Sequence, residues 1–208
     1  MIRPSASRAL LRVAAIAALA ATLSGCISLL PKSKPAQLYR FGVPPAAAPV
    51  TPPGPTAVAV YLSNGKFQDE SSDDRILTMT GGKAAYIADS RWVSPAETLF
   101  EEAVNRAFDA SPVRLIARGQ SGRFGYAMRI DVRTFETRYD ANGGGAPTVV
   151  VRVHAALTKS DQISIGEQDF EARVPVSDNR VGPIVAAYNT AVTDVIGKVV
   201  TWTEKNAT

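Results

Sequence analysis

The sequence predicts an α+β fold: a single domain in which two long amphipathic helices pack on a largely antiparallel sheet, preceded by a signal peptide and a proline-rich segment. Three observations carry that expectation. Apolar and polar residues alternate with period two through 124–133, 149–157 and 162–176, the pattern of half-buried strands. Two segments, one after Ser94 and one from Gly182, carry apolar residues at helical spacing. Eight of the fourteen prolines fall between residues 31 and 55, which keeps helix out of that stretch. Apolar residues make up 46% and charged residues 20% of the 208, a globular balance with enough chain to bury one core.

Residues 1–25 read as a lipoprotein signal peptide. Arg3, Arg8 and Arg12 form a basic leader, and Val13 to Leu23 is an Ala-rich apolar run. That run is too short to span a ~30 Å hydrocarbon core, which needs about 20 residues. Leu23-Ser24-Gly25-Cys26 follows and matches the bacterial lipobox. There the Cys26 thiol takes diacylglycerol, and after cleavage its new amino group is acylated, typically by palmitate; a thiolate is the soft nucleophile that such chemistry needs. The alternative is a structural cysteine behind an ordinary signal or membrane anchor. Ile27, rather than Asp, follows Cys26, which by enterobacterial sorting rules favours the outer membrane, facing the periplasm, over the inner membrane.

Cleavage rewrites the charge. The +4 comes from 23 basic and 19 acidic side chains, and losing Arg3, Arg8 and Arg12 leaves 20 against 19, or +1. Nucleic-acid binding thereby loses its electrostatic motive. One Cys and one His exclude an intrachain disulfide and four-ligand Cys/His zinc sites.

Residues 26–55 form a lipid-anchored, Pro-rich arm. Leu38-Tyr39-Arg40-Phe41 interrupts it with strand-like residues, and these are either spacer or a first strand, with Gly42 to Pro55 then the loop. The main domain spans 56–204. Thr56 to Leu62 is a buried strand. Arg75 to Thr80 and Lys83 to Ala88 flank Gly81-Gly82 as a hairpin. Ser94-Pro95-Ala96-Glu97 starts a helix, with Ser94 expected to cap and Glu97 to complete a capping box. Its apolar face carries Leu99, Phe100, Ala103, Val104 and Ala107, and Ser111-Pro112 ends it. Phe124 to Val132 is a strand whose alternation changes phase at Phe135, predicting a bulge near Thr134. Val149 to Leu157 returns after a glycine tip, and a third strand runs from about Gln162 to Val176 with a phase change near Gly166. The helix over 182–203 buries Ile184, Tyr188, Ala191, Val195, Val199 and Trp202.

Chemistry-bearing residues are few. His154 sits on the polar face of a strand, and no Gly-x-Ser-x-Gly elbow supplies a nucleophile, so a structural or solvated role outweighs a catalytic or metal-binding one. No Walker loop or GxGxxG is present, so no nucleotide cofactor is expected. Asp69-Glu70-Ser71-Ser72-Asp73-Asp74 is acidic enough for a divalent cation but lacks EF-hand spacing, which favours a solvated loop. Trp92 is expected to pack under the helix start with Arg91 stacked on it or paired with a carboxylate; a partner hot spot is the alternative. Arg129, Arg133, Arg138 and Arg152 are placed with Asp131 and Glu136 on an outward, mixed-charge sheet face that suits solvent or protein docking.

The lipobox, the Leu38-to-Phe41 strand, the Pro/Ala-rich loop, Asp74-Arg75-Ile76, the glycine hairpin with Tyr86, and Arg91-Trp92 before an acidic amphipathic helix come in order. In this the chain resembles the ABC-type transport auxiliary lipoproteins of the paraquat-inducible protein C type, most specifically over Asp74 to Phe108. The resemblance implies a non-catalytic, outer-membrane docking or conduit subunit without cofactor or metal. Its implied partner is a mammalian-cell-entry (MCE) periplasmic substrate-binding protein of an ABC transporter that moves phospholipids or other hydrophobic molecules between the two membranes. Homo-oligomerisation stays open. An outer-membrane assembly lipoprotein and, further off, a small periplasmic hydrolase are the competing classes.

Overall fold

Strands come in two runs of four, the first closed by one long helix and the second by another. The computed structural model describes residues 35–43, 54, 57–141 and 144–208. The signal peptide, Cys26 and most of the loop 44–56 lie outside the described residues. Of the two readings of Leu38 to Phe41 the strand is adopted, but over Gln37–Tyr39, with Arg40 and Phe41 beyond its end.

In chain order the elements are β1 (Gln37–Tyr39), β2 (Ala59–Leu62), a 3-10 turn (Asp69–Ser71), β3 (Arg75–Thr80), β4 (Lys83–Trp92), α1 (Ala96–Phe108), β5 (Arg114–Ile116), β6 (Tyr126–Tyr139), β7 (Thr148–Lys159), β8 (Ser164–Pro175) and α2 (Val181–Asn206). The α+β class stands as predicted. The long ladders β6–β7 and β7–β8 and the β3–β4 hairpin are antiparallel. Sequence alone does not show that four short pairings (β1–β4, β2–β5, β2–β6 and β3–β6) are parallel, so the sheet is mixed. Strand β6 is long enough to take β2 against Tyr126–Met128 at one end and β3 against Thr137–Tyr139 at the other. β5 leaves no signal in the sequence, because three residues give too little alternation to register.

The two phase changes are bulges. β6 shifts register between Val132 and Thr134, and β8 shifts near Gly166, opposite Leu157 and Thr158. Val149, Val151, Val153, Ala155 and Leu157 are fully buried under α2. Phe124 lies just outside β6 and stacks on Tyr61 (5.2 Å, 23°) rather than joining the strand. On α2, Ile184, Tyr188, Ala191, Val195 and Val199 are buried, and the stripe continues through Thr203. Trp202 is one position off that line and turns toward β8, where it meets Phe170 edge-to-face at 6.1 Å.

Both helices cover one face of the sheet. The opposite face carries the charged side chains of the long strands, with Val150 and Ala156 buried among them.

Candidate functional site

The motif Asp74 to Phe108 resolves into a device that locks a loop to the start of α1. Trp92 is only 2% exposed, and its ring meets Phe41 (4.9 Å, 83°) and Tyr188 (5.2 Å, 86°) edge-to-face. Phe135 stacks at a tilt on Tyr188 (4.8 Å) and Phe41 (5.1 Å), so the segment just after β1 shares one aromatic cluster with β4, β6 and α2. The Trp92 backbone N–H donates to the Asp74 carbonyl (2.7 Å), while the Arg91 guanidinium donates to the Asp74 carboxylate (2.8 Å). Trp92 therefore sits in the core, and Arg91 lies at the surface, paired with a carboxylate rather than stacked on Trp92.

Ser94 does not cap α1. Pro95 occupies the cap position with φ −48° and ψ 137°, and no side chain there accepts from the first turn. The orphan donors find backbone instead: the Ala96 N–H reaches the Asp73 carbonyl (3.0 Å) and the Glu97 N–H reaches the Ser72 carbonyl (3.2 Å). The acidic loop is thus a helix cap. Tyr86 holds it from the other side by donating to the Glu70 carbonyl (2.9 Å), with the Arg75 guanidinium 3.8 Å over the Tyr86 ring. Among the described residues no three His, Cys, Asp or Glu side chains converge as metal ligands.

The second feature is the uncovered sheet face. Register aligns Asp131, His154 and Asp169 in one row and Arg129, Ala156 and Glu167 in the next. Arg152 donates to Glu171 (2.6 Å), Arg173 to the other Glu171 oxygen (3.2 Å), Arg138 to Glu136 (2.5 Å) and Arg133 to Asp169 (3.0 Å). The hydrogen bond from Arg152 holds the Glu171 carboxyl below the ordinary carboxylate range; burial works against this and Arg173 adds to it. His154 touches Asp169 through Nδ1 (3.0 Å) and Glu167 through Nε2 (3.3 Å). Both ring nitrogens are occupied by carboxylates, so the ring serves as a link in this ladder. The predicted outward residues do share one face, and its charges pair internally.

Burial pushes the Tyr188 phenol well above its usual range, where it accepts a hydrogen bond from Thr137 at 3.3 Å. Between β6, α1 and the segment carrying Gly65, Lys66 and Phe67 lies a cavity of about 40 Å³. A bidentate Arg118–Glu101 pair borders it, unforeseen because the two residues stand on separate elements. Along β8 and α2 runs an open groove of about 670 Å³, with Phe170, Gly197, Lys198 and Trp202 on its walls. Only Gly197, a glycine deep in a helix, signals that groove in the sequence.

Comparison with known proteins fits this architecture. The solved structure of protein XCC0632 from Xanthomonas campestris, described as belonging to family DUF330, is 25% identical; the match covers 82% of this chain and 96% of that one, with a TM-score of 0.68. The hypothetical protein CT253 from Chlamydia trachomatis shares the fold at 10% identity, covering 73% of this chain and 98% of that one, with a TM-score of 0.54. No curated protein is significantly similar. The model of the ABC-type transport auxiliary lipoprotein component matches residues 39–200, from β1 to the last turns of α2. With its aromatic core, loop-capped helix and sheet inside that match, the chain belongs to the ABC-type transport auxiliary lipoprotein family.

Proposed function

We propose that this chain is a non-catalytic auxiliary subunit, anchored to the outer membrane by lipid on Cys26, that docks an MCE-type periplasmic protein of an ABC transporter. The system would move phospholipids or other hydrophobic molecules between the inner and outer membranes. Family membership over residues 39–200, behind a lipobox that ends at the one cysteine of the chain, carries the reading. Each buried acyl CH2 adds roughly 0.8 kcal/mol, so three chains hold firmly where one does not.

Two structural points support docking over an enclosed lipid conduit. The cavity beside α1 is about 40 Å³. That is far below the roughly 300 Å³ at which small-molecule sites begin, and the two larger spaces, about 320 Å³ beside Phe108 and Leu115 and about 670 Å³ beside Phe170 and Trp202, are partly open to solvent rather than enclosed. The open sheet face carries paired charges of both signs, which favours orientation of a protein partner over retention of an anionic lipid.

Replacing Cys26 by Ala tests the anchoring. The expected outcome is an unchanged circular dichroism spectrum, a chain lost from the membrane fraction, and loss of transport. Wild-type fractionation and transport in that variant would sink the anchoring claim.

A further inference from the structure

We infer that the free edge of β8, together with the groove beside it, is a docking site for an extended polypeptide segment of a partner protein, received as an added strand. This surface serves any partner with such a segment, whether or not it is an MCE protein.

The edge itself comes first. Among the described residues β8 pairs only with β7. The Val176 N–H donates to the Pro147 carbonyl (2.9 Å), just ahead of β7, so even-numbered backbone groups point toward β7. Alternation then turns the N–H and C=O groups of Arg173, Glu171, Asp169 and Glu167 to the open side. The Lys198 ammonium confirms this by donating to the Glu171 carbonyl (3.2 Å) from α2. An unpaired edge of this length is a template for another strand, and a lysine laid on it is a common way to keep it from indiscriminate pairing. Here the lysine satisfies one edge carbonyl and leaves the others open.

The groove supplies the specificity that backbone pairing lacks. Phe170 and Trp202 form its aromatic wall. Lys198 and Lys205 line it against a single acid, Asp194, which pairs with Lys198 (2.6 Å), so the groove carries one surplus positive charge. Gly197 opens the middle: a Cβ built there meets no atom within 4 Å. Glycine is a poor residue inside a helix, and no close contact requires it at this position. What its bare backbone provides is room. A groove this open suits a peptide laid along it better than a small amphiphile, which needs most of its surface enclosed. The partner segment is therefore extended, with an apolar side chain seated against Phe170 and Trp202 and an acidic one two residues away facing Lys205.

The test uses the full chain in phosphatidylcholine nanodiscs and linear twelve-residue peptides displayed on phage. Enriched peptides should alternate apolar and acidic residues and protect the amides of Glu167, Asp169, Glu171 and Arg173 from exchange. They should also shift the fluorescence of Trp202 but not of buried Trp92. Gly197→Gln fills the groove without straining the helix and should weaken binding by about tenfold or more, as blocking an interface anchor does. Gly182→Gln, at a second open helical glycine away from the groove, should leave binding unchanged. The inference is overturned if no enriched peptide protects the β8 edge, or if Gly197→Gln binds as tightly as the parent chain. It is equally overturned if phosphatidylglycerol vesicles, and not peptides, shift Trp202 in a Gly197-dependent way.

Discussion

Replacing Trp92 by Ala separates a core role for the Asp74-to-Phe108 stretch from a partner-contact role. The indole is 2% exposed and loses two edge-to-face partners, Phe41 at 4.9 Å and Tyr188 at 5.2 Å, when truncated. Buried Trp-to-Ala changes cost about 3–5 kcal/mol, the aromatic pairs included. For a domain of this size each kcal/mol moves the midpoint by roughly 2–4 °C, so Tm should fall by about 6–20 °C. The assay is thermal and urea unfolding followed by near-UV circular dichroism, with Arg91→Ala as the control. Arg91 makes one half-exposed ion pair with Asp74, and its loss should cost at most about 1 kcal/mol. If Trp92→Ala unfolds within about 1 kcal/mol of the parent chain, the core assignment is wrong.

Three further outcomes follow from other places in the molecule. Gly65→Ala puts a Cβ 1.8 Å from the Ile130 carbonyl oxygen, so backbone must move; urea unfolding should show a loss of about 1–3 kcal/mol, and an unchanged midpoint would contradict the geometry. The Glu171 carboxyl titrates below its unfolded value because Arg152 holds its charged form. Its contribution is therefore full above the ordinary carboxylate pKa of about 4.3 and fades as pH falls through the lower folded value. Glu171→Gln should flatten the acid limb of the stability-against-pH curve, and an identical limb would refute that. Intact-mass analysis of the membrane-extracted chain should show an amino terminus at Cys26 bearing diacylglycerol and a third acyl chain; an uncleaved or unmodified terminus would exclude the lipobox reading.

Much of the fold was legible because strands with one buried face write their burial into the sequence. Val149 to Leu157 places an apolar residue at every second position and all five are buried, while Val150 and Ala156 on the other face are apolar and buried as well. The breaks of phase at Phe135 and Gly166 marked the two bulges correctly for the same reason, since an extra residue flips every later side chain. What stayed hidden depends on partners far along the chain. Ser94 looks like a cap, but the donors of α1 are met by carbonyls of Ser72 and Asp73, a contact that no local pattern encodes. The parallel pairing of β2 and β3 against opposite ends of β6 is likewise set by topology rather than composition. Arg91 and Trp92 could be singled out as a pair, yet only the structure divides them, one into the core and one onto Asp74. The groove beside β8 left a single trace, Gly197, whose meaning needs Phe170 and Trp202 around it.

Affinity capture of the tagged, lipidated chain from solubilised envelopes shows whether it is an anchored docking subunit of an MCE-type transporter. Proteins held at stoichiometric level would then be identified by mass spectrometry. The wild-type chain should retain an MCE-domain protein together with its ABC permease. Recovery of barrel-assembly or lipopolysaccharide-export components in their place, with no MCE-domain protein, would contradict it.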